Sequence, residues 1–333
     1  MATIKEVAAL AGVSSATVSH VINGTRYVSE GVREQVLTAM NTLDYRPNAL
    51  AASLRSGVTH TLGLIIPDSA NPFFAELGHC IENAAFKAGY SVILCNTEND
   101  LHKELLYMDV LTKKLVDGMI FVAAGENVDT FKNLVDLDIP VVVLDRNYEG
   151  IDLEVVSTDN CQGGLLATNH LISLGHTRIG CVSGPSKINP SSKRLDGYLD
   201  ALQANGIEVG PQLIVQGDFH PESGYAAGRK LLSLPEPPTA IFACNDLMAM
   251  GVIKAASSLG LRVPEDLAVV GYDDIELASY TNPPLSTIRQ PKVEMGLTAL
   301  QIILDRINTK DSAHQKIQLP VSLIVRSSCG GKK

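Results

Sequence analysis

The sequence predicts two kinds of structure in one chain. A small all-helical unit comes first, and after a short helix a larger α/β unit of two doubly wound parallel sheets follows. Three observations predict this. Apolar residues near the N-terminus recur at helical spacing. From residue 59 onward, short continuous apolar runs alternate with helix-length amphipathic stretches, the pattern of strands buried on both faces. That alternation occurs twice in tandem, a weak internal duplication that implies two subdomains with a cleft between them. At 333 residues the chain exceeds one ordinary domain, and 45% apolar content is enough for several cores.

The first helix runs from Thr3 to Leu10, with Ile4, Val7, Ala8 and Ala11 on one face. Thr3 and Glu6 form a capping box, and Gly12 ends the helix because it can take the positive φ of a sharp turn. Ser14 caps a second helix that buries Val18 and Val21 and turns Ser15, Thr17, Ser19 and His20 outward. So short a helix is not stable alone, and small hydrogen-bonding side chains at its start suit base edges and phosphates of a major groove. A third helix over Ser29 to Leu43, capped by Ser29, closes the unit with Val32, Val36, Met40 and Leu43. Arg46-Pro47-Asn48 breaks the helical pattern. Residues 48–56, NALAASLRS, then offer two helical turns with one large apolar pair, Leu50 and Leu54, which is marginal in water.

The strand runs of the first half are TLGLIIPD, YSVILCNTE, GMIFVAA and PVVVLDR; those of the second are RIGCVSG, LIVQGD, TAIFACN and LAVVGYDD. Late short strands near 286–291 and 317–328 cross back and tie the halves together. The predicted organisation is a DNA-binding headpiece over 1–46, a short linking helix over 47–58, and a larger α/β unit over 59–333. Within the last, one subdomain spans about 59–159 plus 291–319, and the other about 160–288 plus 320–330.

Net charge is −9, yet residues 1–58 carry +1, with Lys5, Arg26, Arg33, Arg46 and Arg55 against Glu6, Glu30, Glu34 and Asp44. A headpiece with few acids can approach phosphate while the remainder repels it, and its weak charge implies two copies acting together. No run approaches the roughly 18 apolar residues of a membrane span, and no secretion signal opens the chain. Six cysteines (80, 95, 161, 181, 244, 329) are scattered without metal-ligand spacing, and most lie in strand-like runs that read as reduced, buried thiols, so the expected location is cytoplasmic.

Ligands of open α/β sheets bind beyond the carboxyl ends of the strands, where polar residues cluster here. Asp68, Asn71, Asp145, Arg146, Asp218, Asn245, Asp273 and Asp274 stand at such ends, Arg194 follows the first strand of the second half, and Gln290 sits on a late crossing. A sugar site needs rings to stack the C–H side of the ligand and planar groups that bond two adjacent hydroxyls. Phe73, Phe74 and Phe219 supply the rings. Asp145, Arg146, Arg194, Asn245, Asp273 and Gln290 supply the forks. Taken singly each has a plainer explanation, since a strand-end Asp is often a helix cap and Asn-Pro-Phe is often only a turn.

The N-terminal string TIKEVAALAGVSSATVSHVIN resembles, nearly position for position, the helix-turn-helix that opens the lac/galactose repressor family. Residues 59–328 resemble the type I periplasmic sugar-binding fold. The resemblance implies a sequence-specific transcriptional repressor acting as a homodimer on a pseudo-palindromic double-stranded operator, with 47–58 as a hinge helix and 59–333 as the effector-binding and dimerisation domain. Ser15, Ala16, His20 and Arg26 would contact bases, Ala16 through a thymine methyl and Arg26 on guanine, while Ser14, Thr17 and Ser19 would hold phosphates. In this family a hinge-helix leucine wedges into the minor groove; Leu54 stands at that position, with Arg55 along the groove.

Asn71, Phe73, Phe74, Asp145, Arg146, Arg194, Phe219, Asn245, Asp273 and Gln290 match in order the residues that hold ribose in periplasmic ribose-binding proteins. The stretches CNTEND, GYDDIELAS and NPPLSTIRQPK look like ribose-operon repressors. Purine repressors share the headpiece, but a tryptophan is expected in them where Arg146 stands, and this chain has none. The loop PSKINPSSK before Arg194 departs from the ribose pattern and can reshape the pocket rim. The resemblance thus implies a pentose effector, ribose first, with another monosaccharide, a sugar phosphate or a purine as alternatives. Induction by free sugar is the expected sign, whereas ligand promotes DNA binding in purine repressors.

An enzyme acting on a sugar is the least supported reading. There is no GxGxxG after a strand, no phosphate loop and no GxSxG elbow. The eight histidines lack metal-ligand spacing, and His170 and His176 read as helix-end contacts. No cofactor, metal or catalytic residue is expected. No leucine-heptad tail follows residue 328, which favours a dimer over a tetramer.

Overall fold

In the computed structural model, residues 2–46, 57–122, 139–145, 153–309 and 314–331 are described, and the chain divides into two units, Met1–Thr59 and His60–Lys333. The hinge helix expected over 47–58, with Leu54 and Arg55, lies outside the described residues apart from 57 and 58; so does Arg146.

The first unit holds α1 (Ile4–Leu10), α2 (Ser15–Asn23) and α3 (Glu30–Thr42). The capping box forms: Thr3 N donates to Glu6 Oε2 at 2.7 Å, and Glu6 N donates to Thr3 Oγ1 at 3.4 Å. Gly12 takes φ 66°, and Ser14 Oγ then accepts from Thr17 N at 3.1 Å to open α2. Ser29 occupies the N-cap position of α3, but its hydroxyl makes no capping bond; only its carbonyl engages the helix, accepting from Arg33 N at 3.0 Å. Val7, Ala8, Val18, Val21, Val36 and Ala39 make the core, with Ile4, Met40, Leu43 and Tyr45 packed against it. Four valines carry most of that burial, each worth roughly 1.5–3 kcal/mol.

The second unit contains two six-stranded sheets. Five strands of the first are β1 (Thr61–Ile66), β2 (Ser91–Asn96), β3 (Gly118–Phe121), β4 (Val141–Leu144) and β5 (Glu154–Thr158). Helices α4 (Pro72–Lys87) and α5 (Leu101–Lys113) follow β1 and β2. The second half runs α6 (Asn160–Ser173), β6 (Ile179–Ser183), α7 (Asn189–Ala204), β7 (Ile214–Gln216), α8 (Pro221–Leu232), β8 (Ala240–Ala243), α9 (Asp246–Ser258), β9 (Ala268–Asp273) and β10 (Ser286–Arg289). The chain then returns through α10 (Lys292–Asn308) to β11 (Lys316–Leu319) in the first sheet, and ends with β12 (Ser322–Ile324) in the second.

Strand order is β11-β5-β4-β3-β1-β2 in one sheet and β12-β10-β9-β8-β6-β7 in the other, parallel throughout except the antiparallel β10–β12 pair. The central strands β3, β4, β6, β8 and β9 are buried along their whole length, which is why they read as continuous apolar runs. β2, on an edge, leaves Leu94 exposed. β5 is a strand that the apolar pattern did not mark. It begins at Glu154, a buried carboxylate paired with Arg306 and accepting from Gln315 N at 2.6 Å. A charge neutralised by distant residues cannot be told from a surface charge in the sequence alone.

Candidate functional site

Both sheets turn their carboxyl ends toward one cleft of about 510 Å³, part of it open to solvent. From the first sheet come Pro67 and Asp68 after β1, Asn71, Phe73 and Phe74 at the start of α4, Asn99 after β2, and Asp145 after β4. Ile188, Pro190 and Arg194 around the start of α7, Asp218–His220 after β7, Asn245 after β8 and Asp273 closing β9 come from the second.

Two of these side chains also start helices. Asn71 Oδ1 accepts from Phe73 N at 3.0 Å to cap α4, ahead of a proline at its first turn. Asn245 Oδ1 accepts from Met248 N at 2.9 Å to cap α9, and its Nδ2 donates to the Phe219 carbonyl at 2.9 Å. The plain reading of these asparagines as caps and their place in the cleft wall both hold, because helix N-termini meet at the ligand end of such sheets.

Arg194 is buried and held from three sides. Its Nε donates to Asn160 Oδ1 at 2.8 Å and its Nη1 to the Cys244 carbonyl at 2.7 Å, with Asp273 Oδ1 3.5 Å from Nη1. Beneath lies the Tyr272 ring, 3.8 Å from the guanidinium carbon. Burial works against the charge of Arg194, but Asp273, Tyr272 and Asp145 outweigh it and leave the group more firmly protonated than usual. Burial pushes the Asp273 carboxyl up to about 6, against the pull of Arg194, the Gln290 hydrogen bond and Lys292.

Phe73 and Phe74 meet edge to face at 5.1 Å. The Phe219 ring lies so close to Gly184 that a Cβ there would sit 2.3 Å from it, so a side chain at 184 would displace the ring. Backbone strain gathers in the same place: Asn99 (φ 57°), Asp145 (61°), Phe219 (73°) and Asp273 (109°) all take positive φ. Non-glycine residues hold such angles only where their surroundings over-determine them, as ligand sites do.

In the headpiece, the outward face of α2 is internally bonded. Ser14 Oγ and Thr17 Oγ1 are 2.9 Å apart, Asn23 Nδ2 donates to Ser19 Oγ at 3.2 Å, and His20 Nδ1 pairs with Thr25 Oγ1 at 2.8 Å. The last bond ties the following loop to α2. Ala16 and Arg26 stand exposed, and Tyr27 beside Arg26 is 94% exposed.

Comparison with known proteins decides the family. Residues 3–48 match the bacterial regulatory proteins of the lacI family, and residues 168–329 match the periplasmic binding protein-like domain. Over 333 residues, covering 98% of each chain, the sequence is 42% identical to the HTH-type transcriptional repressor PurR of Photobacterium profundum. The chain belongs to the lacI family of bacterial transcriptional regulators. Among solved lacI-family structures, the lac repressor dimer bound to operator and the anti-inducer ONPF aligns with a TM-score of 0.87 at 30% identity, covering 98% of both chains. A LacI-family regulator of Enterococcus faecium with bound ribose aligns with a TM-score of 0.74 at 34% identity, over 81% of this chain and 98% of that one.

As a lacI-family member this chain is a DNA-binding transcriptional repressor with an effector domain, and it is not an enzyme. Of the ten residues expected to hold the effector, eight line the cleft: Asn71, Phe73, Phe74, Asp145, Arg194, Phe219, Asn245 and Asp273. Gln290 is absent from the wall. It stands behind Asp273, donating to its Oδ1 at 2.8 Å and accepting from Thr158 Oγ1 at 2.6 Å. Its amide therefore orients the carboxylate. Pro67, Asn99, Ile188, Pro190 and His220 also line the wall and were not expected there from the sequence. Ile188 and Pro190 fall in the very loop that departs from the ribose pattern, which was the available signal. His170, read as a helix-end contact, reaches from the last turn of α6 to Cys329 Sγ at 3.2 Å, and His176 pairs with Thr239 Oγ1 at 2.9 Å. Among the described residues no helix is long and apolar enough to cross a membrane, and no group of His, Cys, Asp or Glu is arranged to hold a metal ion.

Proposed function

We propose that this repressor is controlled by a neutral monosaccharide of pentose size, ribose first, bound in the cleft between the two sheets. The observation that carries the reading is the charge and shape of the described wall. Four carboxylates, Asp68, Asp145, Asp218 and Asp273, face one guanidinium, Arg194, beside three phenyl rings. A polyol offers hydroxyl protons to the carboxylates, hydroxyl oxygens to the arginine, and a C–H face to the rings. A phosphate would meet a surplus of negative charge, which argues against a sugar phosphate. The ribose bound in the Enterococcus faecium relative supports the same class of ligand.

A purine is the second reading, favoured by 42% identity over nearly the full length to a repressor named PurR. A flat base needs ring faces above and below it, whereas Phe73 and Phe74 stand edge to face and the chain has no tryptophan.

The repressor acts in the cytoplasm as a homodimer on a pseudo-palindromic operator. Ser15, Ala16, His20 and Arg26 meet bases and Ser14, Thr17 and Ser19 meet phosphates, while Leu54 and Arg55 of paired hinges enter the minor groove. Sugar in the cleft changes how the two hinges are presented and releases the operator. By linkage, operator DNA changes sugar affinity by the same factor.

Calorimetric titration of the full chain with ribose, other pentoses, hexoses, their phosphates and purine bases tests this. Saturable binding of ribose that weakens operator binding supports the reading. Binding of a purine base or a phosphorylated sugar in its place refutes it.

A further inference from the structure

Beside the cleft, outside its wall, an ion pair between two helices of the first subdomain reaches the second through hydrogen bonds to its backbone. Lys292 opens α10, and its Nζ lies 2.9 Å from Glu76 Oε2 on α4. The same ammonium donates to the carbonyls of Asp273 at 3.2 Å and Asp274 at 2.5 Å. Glu76 Oε1 in turn accepts from Glu276 N, just past β9, at 2.9 Å. Asp273 and Asp274 are consecutive non-glycine residues at φ 109° and 51°, a backbone shape that needs support. The Asp274 carboxylate is fixed separately by Arg289 at 2.7 Å and Arg326 at 2.6 Å.

We propose that Lys292 and Glu76 are positioning residues of the effector site: together they hold the Asp273–Asp274 backbone in the shape that sets the Asp273 carboxylate in the cleft wall, and tie it to α4. That helix carries Asn71, Phe73 and Phe74 at its start, on the facing wall. One carboxylate–ammonium pair thus fixes the spacing of the two walls. The inference rests on the reading of the cleft as an effector site.

Salt gives the pair a signature. Ribose carries no charge, so a dependence of its affinity on ionic strength must come from the protein. Arg194 and Asp273 are shielded from ions by burial, with side chains 5% exposed each, whereas Glu76 and Lys292 reach solvent at 29% and 13%.

The full chain is titrated calorimetrically with ribose, and in parallel with guanine, at about 50 and 500 mM NaCl, a range over which the screening length shrinks several-fold. The variants are Lys292→Met, Lys292→Arg, Glu76→Gln and, as a control, Leu297→Ala on the exposed face of α10. Lys292→Met should weaken binding of whichever ligand the unmodified chain takes by about tenfold to a hundredfold, the worth of charged hydrogen bonds to two carbonyls. Lys292→Arg should restore most of it, and Leu297→Ala should change nothing. Glu76→Gln preserves side-chain shape, so it reports even if Lys292→Met folds poorly; it should weaken binding by roughly threefold to tenfold. Affinity of the unmodified chain should fall at high salt, and that of Lys292→Met should not. Unchanged affinity in both Lys292→Met and Glu76→Gln, or a salt dependence that survives in Lys292→Met, overturns the positioning role while the effector reading stands. If the unmodified chain binds neither ligand, the effector reading falls and takes this inference with it.

Discussion

Asp273→Asn should make the protein more stable at neutral pH while removing its response to effector. The carboxyl is displaced by burial from its ordinary 3.8 to about 6. That displacement corresponds to about 3 kcal/mol by which the folded protein disfavours the ionised form. Asparagine resembles the protonated acid, keeps an oxygen for Gln290 Nε2, and avoids this cost.

The sign follows from proton counting. Between pH 3.8 and about 6 the folded protein binds more protons at this site than the unfolded chain, so the native acid loses stability as pH rises through that window. Below it the variant and the unmodified chain should be equally stable. Above about pH 6 the variant should lead by up to about 3 kcal/mol. Urea denaturation of both at pH 4 and pH 8, followed by fluorescence of the tyrosines, measures the difference. Ribose titration of the same samples at pH 8 should show binding lost in the variant, and for the unmodified chain affinity should decline below about pH 6. Equal stability at pH 8, or the same difference at both pH values, would refute the assignment of Asp273 as a strained, desolvated carboxylate kept for its ligand.

Other substitutions separate the remaining roles. Gly184→Ala drives a methyl group into the Phe219 ring, 2.3 Å away, and should cut ribose affinity at least about tenfold by calorimetry while operator binding persists. Ser14→Ala removes the hydroxyl that caps α2 and should cost the headpiece about 1 kcal/mol, read as weaker operator binding in a gel-shift titration. Arg26→Ala should relax base preference at one symmetric operator position at a cost of roughly 1–3 kcal/mol; uniform weakening across sequences would make Arg26 a phosphate contact. Leu54→Ala should lose operator affinity and leave ribose binding intact.

How much of this was legible depended on how local each cause is. The capping box at Thr3 and Glu6, the turn at Gly12 and the cap at Ser14 are each settled within four residues, and they form as the sequence says. Central strands announced themselves because burial on both faces leaves only apolar residues. β5 did not, since its first residue is a carboxylate whose partners, Arg306 and Gln315, lie more than 150 positions away. The same distinction runs through the cleft. Residues at strand ends, such as Asp145 and Asp273, were predictable from topology alone. Gln290 was expected in the wall and stands one layer back, because its partner Thr158 is 132 residues distant and pairing of that kind leaves no periodic trace. Ile188 and Pro190 were hidden for the opposite reason: an apolar rim residue looks like any loop hydrophobe until the opposing sheet is in place.

The threading of the chain has a consequence for how the protein is made. Each sheet receives an edge strand from residues 316–324, β11 for the first and β12 for the second. A ribosome therefore releases a complete three-helix headpiece long before either half of the effector unit can close its outer edge. A chain ending between β10 and residue 316 would leave β5 and β10 bare at once, exposing their backbone hydrogen-bonding groups to neighbouring chains. Products truncated there should consequently aggregate, because the two sheets draw one edge each from the same short segment.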